Sequence, residues 1–170
     1  VDLGERAYDV TVGPGLLDGL GAVVSEVAGP GRRAVLVTDS NVLDLYGDRA
    51  RSALAEAGLR TDLLSFPAGE PSKTLGTYVS LTDLLLRLEP PIDRSTVVVA
   101  LGGGVVTDLA GFLAATALRG LPVVGAATTL LAAVDASVGG KTGVDAETGK
   151  NLVGAFHQPS AVVIDAETMR

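Results

Sequence analysis

A chain of 170 residues, 47% of them hydrophobic, is long enough for one domain with a real core. Its net charge of −7 argues against non-specific nucleic-acid binding, because phosphate backbones need a basic surface. The absence of cysteine excludes disulfides, thiolate metal sites and thiol nucleophiles, and leaves the compartment open.

In chain order, Tyr8 to Val12 reads as a strand closed by Gly13-Pro14-Gly15. Leu16, Leu17, Leu20, Val23, Val24 and Val27 repeat at helical spacing until Gly29-Pro30-Gly31. Ala34 to Val37 is a buried strand ending in Thr38-Asp39-Ser40-Asn41, where Ser40 or Asn41 can cap the next helix. That helix carries Val42, Leu43, Tyr46, Ala50, Leu54 and Ala57 and stops at Gly58. Thr61 to Phe66 is a third strand, Pro67 to Lys73 a loop, and Leu75 to Leu88 a helix broken by Pro90-Pro91. Val97 to Leu101 then runs through Gly102, Gly103 and Gly104 into a helix from about Val105 to Leu118. Val123 to Ala127 is a strand, Leu130 to Ser137 helical, residues 141–160 polar and turn-rich, and Ala161 to Ile164 a last strand. The apolar stretch Leu109 to Val134 is interrupted by Arg119 and Pro122, and each uncharged part is shorter than the ~20 residues of a spanning helix, so helix, turn and strand are expected rather than a membrane segment. The chain opens on Val1 rather than Met, without a leader pattern, and an excerpt of a longer protein is expected.

Strands alternating with helices predict an α/β domain over residues 1–170: a Rossmann-like, mainly parallel sheet covered on both faces. In such sheets ligands sit beyond the carboxyl ends of the strands. Asp39 and Asn41, the Pro67–Lys73 loop, Gly102–Gly104 and Thr128-Thr129 would therefore share one edge. Glycines there let backbone N–H groups approach a phosphate and tolerate positive φ; a ligand-free tight turn is the plainer reading. Asp39 suits either a ribose hydroxyl or a helix cap. It precedes the glycines by about sixty residues, whereas the usual dinucleotide fingerprint has its acid about twenty residues after them, so that logic does not transfer.

Other polar residues carry two readings each. Glu70 and Lys73, spaced i, i+3, suit a ligand or a solvated pair. Asp108 reads as a first-turn acid favoured by the helix dipole. Asp135, Ser137, Lys141, Thr142, Lys150 and Asn151 form the densest polar cluster, in DASVGGKTGVDAETGKN, and can surround an anion or remain solvated. Arg119 can pair with an anion or neutralise a helix C-terminus. His157, the only histidine, cannot build the usual multi-ligand zinc site, and no complete metal site is expected here.

The segments LGGGVVTDLAGFLAATALRG, TTLLAAVDASVGGKTG and GKNLVGAFHQP, with TDSNV and FPAGEPSKT, resemble 3-dehydroquinate synthase within the sugar-phosphate cyclases, over nearly the whole chain. The resemblance implies the first of two domains. The second, helical and absent here, supplies the ligands of a divalent metal, zinc or cobalt. It implies an NAD-dependent lyase of the shikimate pathway that converts 3-deoxy-D-arabino-heptulosonate 7-phosphate to 3-dehydroquinate through a transient oxidation, with phosphate elimination. This fragment alone would be inactive; the parent would be a cytoplasmic homodimer. Carried over by motif position, Asp39, Asn41, Glu70, Lys73, Gly103, Gly104, Val105, Asp108, Thr128, Thr129 and Lys150 correspond to NAD contacts. Arg119, Asp135, Lys141 and Asn151 correspond to substrate contacts. Thr107, Ala127, Ala133 and Ala136 stand where the family usually has Gly, Pro, Gln and Ser. Thr107 is also similar to cyclases acting on sedoheptulose 7-phosphate. An aminodehydroquinate synthase and, more distantly, a metal-dependent polyol dehydrogenase are the alternatives.

Overall fold

The computed structural model describes residues 1, 2, 4, 7–29 and 32–169. The expected Gly29-Pro30-Gly31 stop lies partly outside them. Six strands form one parallel sheet: β1 (Asp9–Gly13), β2 (Arg33–Asp39), β3 (Arg60–Phe66), β4 (Val97–Gly102), β5 (Val123–Ala127) and β8 (Ala161–Asp165). Their spatial order is β1-β8-β5-β4-β2-β3. Every residue of β4, β5 and β8 is buried, which explains why these strands read as unbroken apolar runs with no alternation.

Helices α1 (Leu20–Ala28), α2 (Ser40–Val42), α3 (Asp48–Glu56), α4 (Leu75–Leu86) and α5 (Gly104–Thr116) connect the strands. α1 and α3 set Leu20, Val24, Ala50 and Leu54 in one core with Leu36, Val99, Leu101 and Val124 of the sheet. On the other face Leu81 and Leu85 of α4 and Leu109 and Leu113 of α5 share a core with Val35, Val37, Val98 and Ala100. Two helices expected as continuous are divided. A 3₁₀ turn at Leu16–Gly19 precedes α1, and a wide π turn at Leu43–Gly47 separates α2 from α3. Helical periodicity in the sequence does not distinguish these windings, because all of them keep apolar side chains on nearly one face.

The stretch 109–134 is helix, turn and strand, and among the described residues no helix is long and apolar enough to cross a membrane. Residues 141–160 depart from the expected irregular segment. They hold an antiparallel hairpin of β6 (Lys141–Ala146) and β7 (Gly149–Phe156). Its glycines disguised it. Gly143 and Gly154 are paired across the hairpin, and a Cβ on Gly154 would stand 2.0 Å from the Thr142 carbonyl oxygen. A Cβ on Gly111 of α5 would stand 2.4 Å from Thr142 Cγ2, so the hairpin lies tight on that helix. These glycines permit close approach rather than turns.

The strand order contains a reversal. From β2 the chain passes outward to β3, then returns to β4 on the other side of β2 and continues to β5. The crossover helices α3 and α5 consequently lie on opposite faces. Between the carboxyl ends of β2 and β4 this opens the crevice where ligands of doubly wound sheets bind.

Candidate functional site

The carboxyl end of β4 is the glycine turn. Gly102 cannot carry a side chain, because its Cβ would lie 2.5 Å from Cγ2 of the fully buried Val106. Gly102→Ala is therefore expected to cost about 1–3 kcal/mol through overpacking, read as a lowered thermal midpoint that Val106→Ala in the same chain does not restore, because the Val106 Cβ that alanine keeps would itself stand 2.6 Å away. Gly103 caps α5 with extended backbone, and none of the three glycines has a positive φ, contrary to one of the two reasons expected for them. Their use is steric. A Cβ on Gly103 would come within 3.2 Å of Thr129 Cγ2. No side chain caps α5, so the first N–H groups, of Gly104, Val105 and Val106, face the crevice end without intrahelical partners.

Neighbouring strand ends supply the flanks. The Thr38 hydroxyl donates to the Leu101 carbonyl at 2.8 Å and ties β2 to β4 there. Asp39 does cap the following turn: its Oδ1 accepts from the backbone N–H groups of Asn41 and Val42, both at 2.9 Å. Its other oxygen has no donor among the described residues, so the cap leaves half the carboxylate for a ligand. Asn41 is exposed beside it. Ser40 Oγ accepts from Ala68 N–H at 3.1 Å and anchors the Pro67–Lys73 loop to the end of β2. At β5, Thr129 Oγ1 accepts from Ala132 N–H at 3.2 Å. Thr128 Oγ1 is buried without a partner beside the glycine turn, to which its N–H is bonded through the Gly102 carbonyl.

A second group lies one turn along α5. Asp108, Asp135, Lys141, Asn151, Leu152 and Phe156 line a cleft of about 420 Å³ between α5, the hairpin and the π turn Ala132–Ala136. Asp108 is the fifth residue of α5, since the helix begins at Gly104, and so is not the first-turn acid expected from spacing. Its partner is the ammonium of Lys73, which also donates to Asn151 Oδ1 at 2.5 Å. Lys73 is buried at 6% exposure, so the reading of Glu70 and Lys73 as a solvated pair fails. Glu70 instead accepts from Lys150 Nζ at 2.7 Å, an exposed contact between the loop and the hairpin. Burial pushes the Asp108 carboxyl above the usual range, against the pull of Lys73; Glu70 and Asp135 add repulsion in the same upward direction.

The two groups adjoin. The position of a Cβ on Gly104 is 3.5 Å from the Ala136 methyl, and Ala136 lines the cleft. Arg119 is not brought to either. It sits in the turn Ala117–Arg119 after α5, at the amino edge of the sheet, about 20 Å from the glycine turn at 1.5 Å per helical residue. It is not among the residues that line the cleft. His157 contacts the Leu121 carbonyl at 2.8 Å, a structural bond. Among the described residues no three His, Cys, Asp or Glu side chains are grouped to hold a metal ion. Sequence reasoning passed over Asp145 and gave Ser40 or Asn41 the capping role that Asp39 takes; the bonds of Ser40 and Asp145 are to segments elsewhere in the chain.

Comparison with known proteins agrees with this fold. The profile of the family described as "3-dehydroquinate synthase N-terminal" matches residues 63–170. The 3-dehydroquinate synthase of Symbiobacterium thermophilum is 58% identical over 170 residues, all of this chain and 47% of that protein. The chain belongs to the 3-dehydroquinate synthase family. It spans about half the length of the curated relatives that it matches. Solved structures of other cyclases share this family's fold. A 2-deoxy-scyllo-inosose synthase, complexed with carbaglucose-6-phosphate, NAD+ and Co2+, superposes with a TM-score of 0.83 at 29% identity, over 94% of this chain and 43% of that one. The 2-epi-5-epi-valiolone synthase of Streptomyces hygroscopicus, with NAD+ and Zn2+ bound, has a TM-score of 0.82 at 34% identity, over 99% and 45%.

Proposed function

We propose that this chain is the NAD-binding domain of a 3-dehydroquinate synthase and carries part of the substrate site. A second domain outside the chain supplies the metal ligands. The enzyme is a carbon–oxygen lyase that takes 3-deoxy-D-arabino-heptulosonate 7-phosphate to 3-dehydroquinate and phosphate in the shikimate pathway. It works as a cytoplasmic homodimer, and this domain by itself does not turn over. The observation that carries this reading is the shared wall at Gly104 and Ala136, which sets the phosphate-accepting turn of a dinucleotide seat beside a cleft with Lys141, Asp135 and Asn151.

The residues fit NAD. The uncapped N–H groups of Gly104 and Val105, with Gly103, suit its pyrophosphate, and the partnerless buried hydroxyl of Thr128 is a donor or acceptor awaiting a ligand. The free oxygen of Asp39 and the amide of Asn41 bind on the adenosine side, and Thr129, Glu70, Lys73, Asp108 and Lys150 complete the seat. When bound, NAD supplies reversible removal of hydride from a substrate hydroxyl, and zinc or cobalt supplies polarisation of the hydroxyls. Lys141 and Asn151 hold the substrate phosphate by charge and amide donation. Asp135 orients substrate hydroxyls. The raised carboxyl of Asp108 keeps its proton to a higher pH than an ordinary aspartate and reports the protonation of the Lys73 pair. The apolar side chains of Leu130, Leu131, Val134, Leu152 and Phe156, all more than 60% exposed near the cleft, form the face against which the second domain closes.

Phosphate release by the enzyme at the full length of its relatives tests the proposal. Release from the heptulosonate phosphate without net NADH is expected. Release from sedoheptulose 7-phosphate alone moves the assignment to the related cyclases, and release only from the amino analogue of the heptulosonate to aminodehydroquinate synthase. Net NADH from a simple polyol makes it a dehydrogenase.

A further inference from the structure

Asp145 takes no part in the site as described, does not line the cleft and lies half-buried in β6. The register of the hairpin is broken between Val144 and Ala146, so Asp145 falls outside the β6–β7 pairing. A bulge of this kind turns the extra residue's backbone away from its partner strand. The freed N–H of Asp145 donates to the Lys73 carbonyl at 2.9 Å, and a parallel bridge joins Asp145 to Thr74. Its carboxylate turns the other way: Oδ1 accepts from the backbone N–H of Asn151 at 2.8 Å.

Asn151 is held at φ 57, the left-handed region, where a non-glycine residue persists only if its surroundings impose it. The Asp145 carboxylate is that constraint. The same Asn151 offers its side-chain oxygen to Lys73 Nζ. One residue thus grips Lys73 through its backbone and Asn151 through its side chain, and these two meet each other and Asp108 at the wall of the cleft.

We propose that Asp145 is a positioning residue, which fixes the left-handed backbone of Asn151 and the register of Lys73 against it, so that both present their polar atoms to NAD and the sugar phosphate. The inference rests on the proposed function for its ligands, and on the hairpin geometry alone for its structural half.

Two variants of the full-length enzyme test it. In Asp145→Asn the carboxamide oxygen still accepts the Asn151 N–H; in Asp145→Ala nothing does. Loss of one charge-assisted hydrogen bond predicts roughly tenfold or greater acceleration of amide exchange at Asn151 in the alanine variant, with Asp145→Asn close to wild type. The KM for the sugar phosphate and the Kd for NAD rise about tenfold in Asp145→Ala, kcat falls less, and Asp145→Asn restores both. Unchanged exchange at Asn151 in Asp145→Ala overturns the proposal whatever the enzyme catalyses. So does faster exchange with unaltered KM and Kd, or an asparagine variant as impaired as the alanine one. If the wild-type enzyme releases no phosphate from the heptulosonate, the functional reading fails, while the exchange measurement and NAD titration still decide the role of Asp145.

Discussion

Lys73→Met is expected to destabilise the folded protein by about 2–3 kcal/mol at neutral pH, somewhat below the cost of breaking a fully buried ion pair because Asp108 keeps some contact with solvent. Lys73 is the buried hub between Asp108 and Asn151, so its loss leaves a carboxylate without a counter-charge and an amide oxygen without a donor. The pH dependence gives the test its sign. Burial already raises the Asp108 carboxyl, with Lys73 opposing. A carboxyl raised in the folded state favours folding while protonated and withdraws that support as pH rises through its folded pKa. Removing Lys73 raises the group further. Urea unfolding should therefore show the largest deficit of Lys73→Met at neutral pH and a smaller one in acid, where Asp108 is protonated in both proteins and only the Asn151 oxygen lacks its donor. Lys73→Met combined with Asp108→Asn should regain most of the loss. A deficit independent of pH, or no recovery in the double variant, would show that Lys73 acts through packing of its stem. Under the proposed function NAD binding weakens as well, because the loop loses its anchor on α5.

A larger loss is expected at Asp165, which lies outside the cleft. Its carboxylate, 2% exposed, ends β8 and accepts three backbone N–H groups: Gly15 and Glu167 on Oδ1 and Leu17 on Oδ2, each at 2.9 Å. Arg49 stands 3.8 Å away. One side chain thereby pins the turn after β1, the start of the first helical segment and the segment after β8. In Asp165→Asn an amide N–H replaces one acceptor and faces a backbone N–H. A cost of about 3–5 kcal/mol follows from the lost charge-assisted bonds and the buried mismatch, a fall of about 10 °C in the thermal midpoint for a chain of this size. Burial pushes this carboxyl up, but the N–H groups of Leu17, Glu167 and Gly15, with Arg49, outweigh it and hold it below the usual range. Such a group stabilises the fold above its unfolded pKa and loses that contribution as pH falls through its folded pKa. The difference between wild type and Asp165→Asn should hence be full near neutrality and shrink only in strong acid, in the same direction as that of Lys73→Met but at lower pH, because the Asp165 carboxyl is held down and the Asp108 carboxyl pushed up.

Both residues illustrate a limit of reading polar side chains along the chain. Lys73 and Glu70, three apart, looked like each other's partners. Their partners are Asp108, Asn151 and Lys150, thirty-five to eighty residues away. Asp165 follows a buried strand as Asp39 does, and the same strand-end pattern would have drawn attention to it. Two of its three donors, however, lie about 150 residues earlier. The hairpin escaped for a related reason: Gly143 and Gly154 are selected by the backbone opposite them, and local composition counts them as turn formers.

By itself the sequence determined what depends on neighbours along the chain. Apolar runs without alternation set the buried strands, apolar repeats near 3.6 residues set the helices, and glycine and proline set most of their ends. Their alternation set the parallel α/β class, and with it the single edge on which Asp39, Gly102–Gly104 and Thr128 meet. Long motif segments carried the family. Only the tertiary structure decided the strand order, and so the crevice between β2 and β4. It also decided the pairing of charges in the cleft and the grip of Asp145 on Asn151. Strand order and charge pairing are settled by packing in three dimensions, where a buried polar atom must find a partner wherever the chain brings one within about 3 Å.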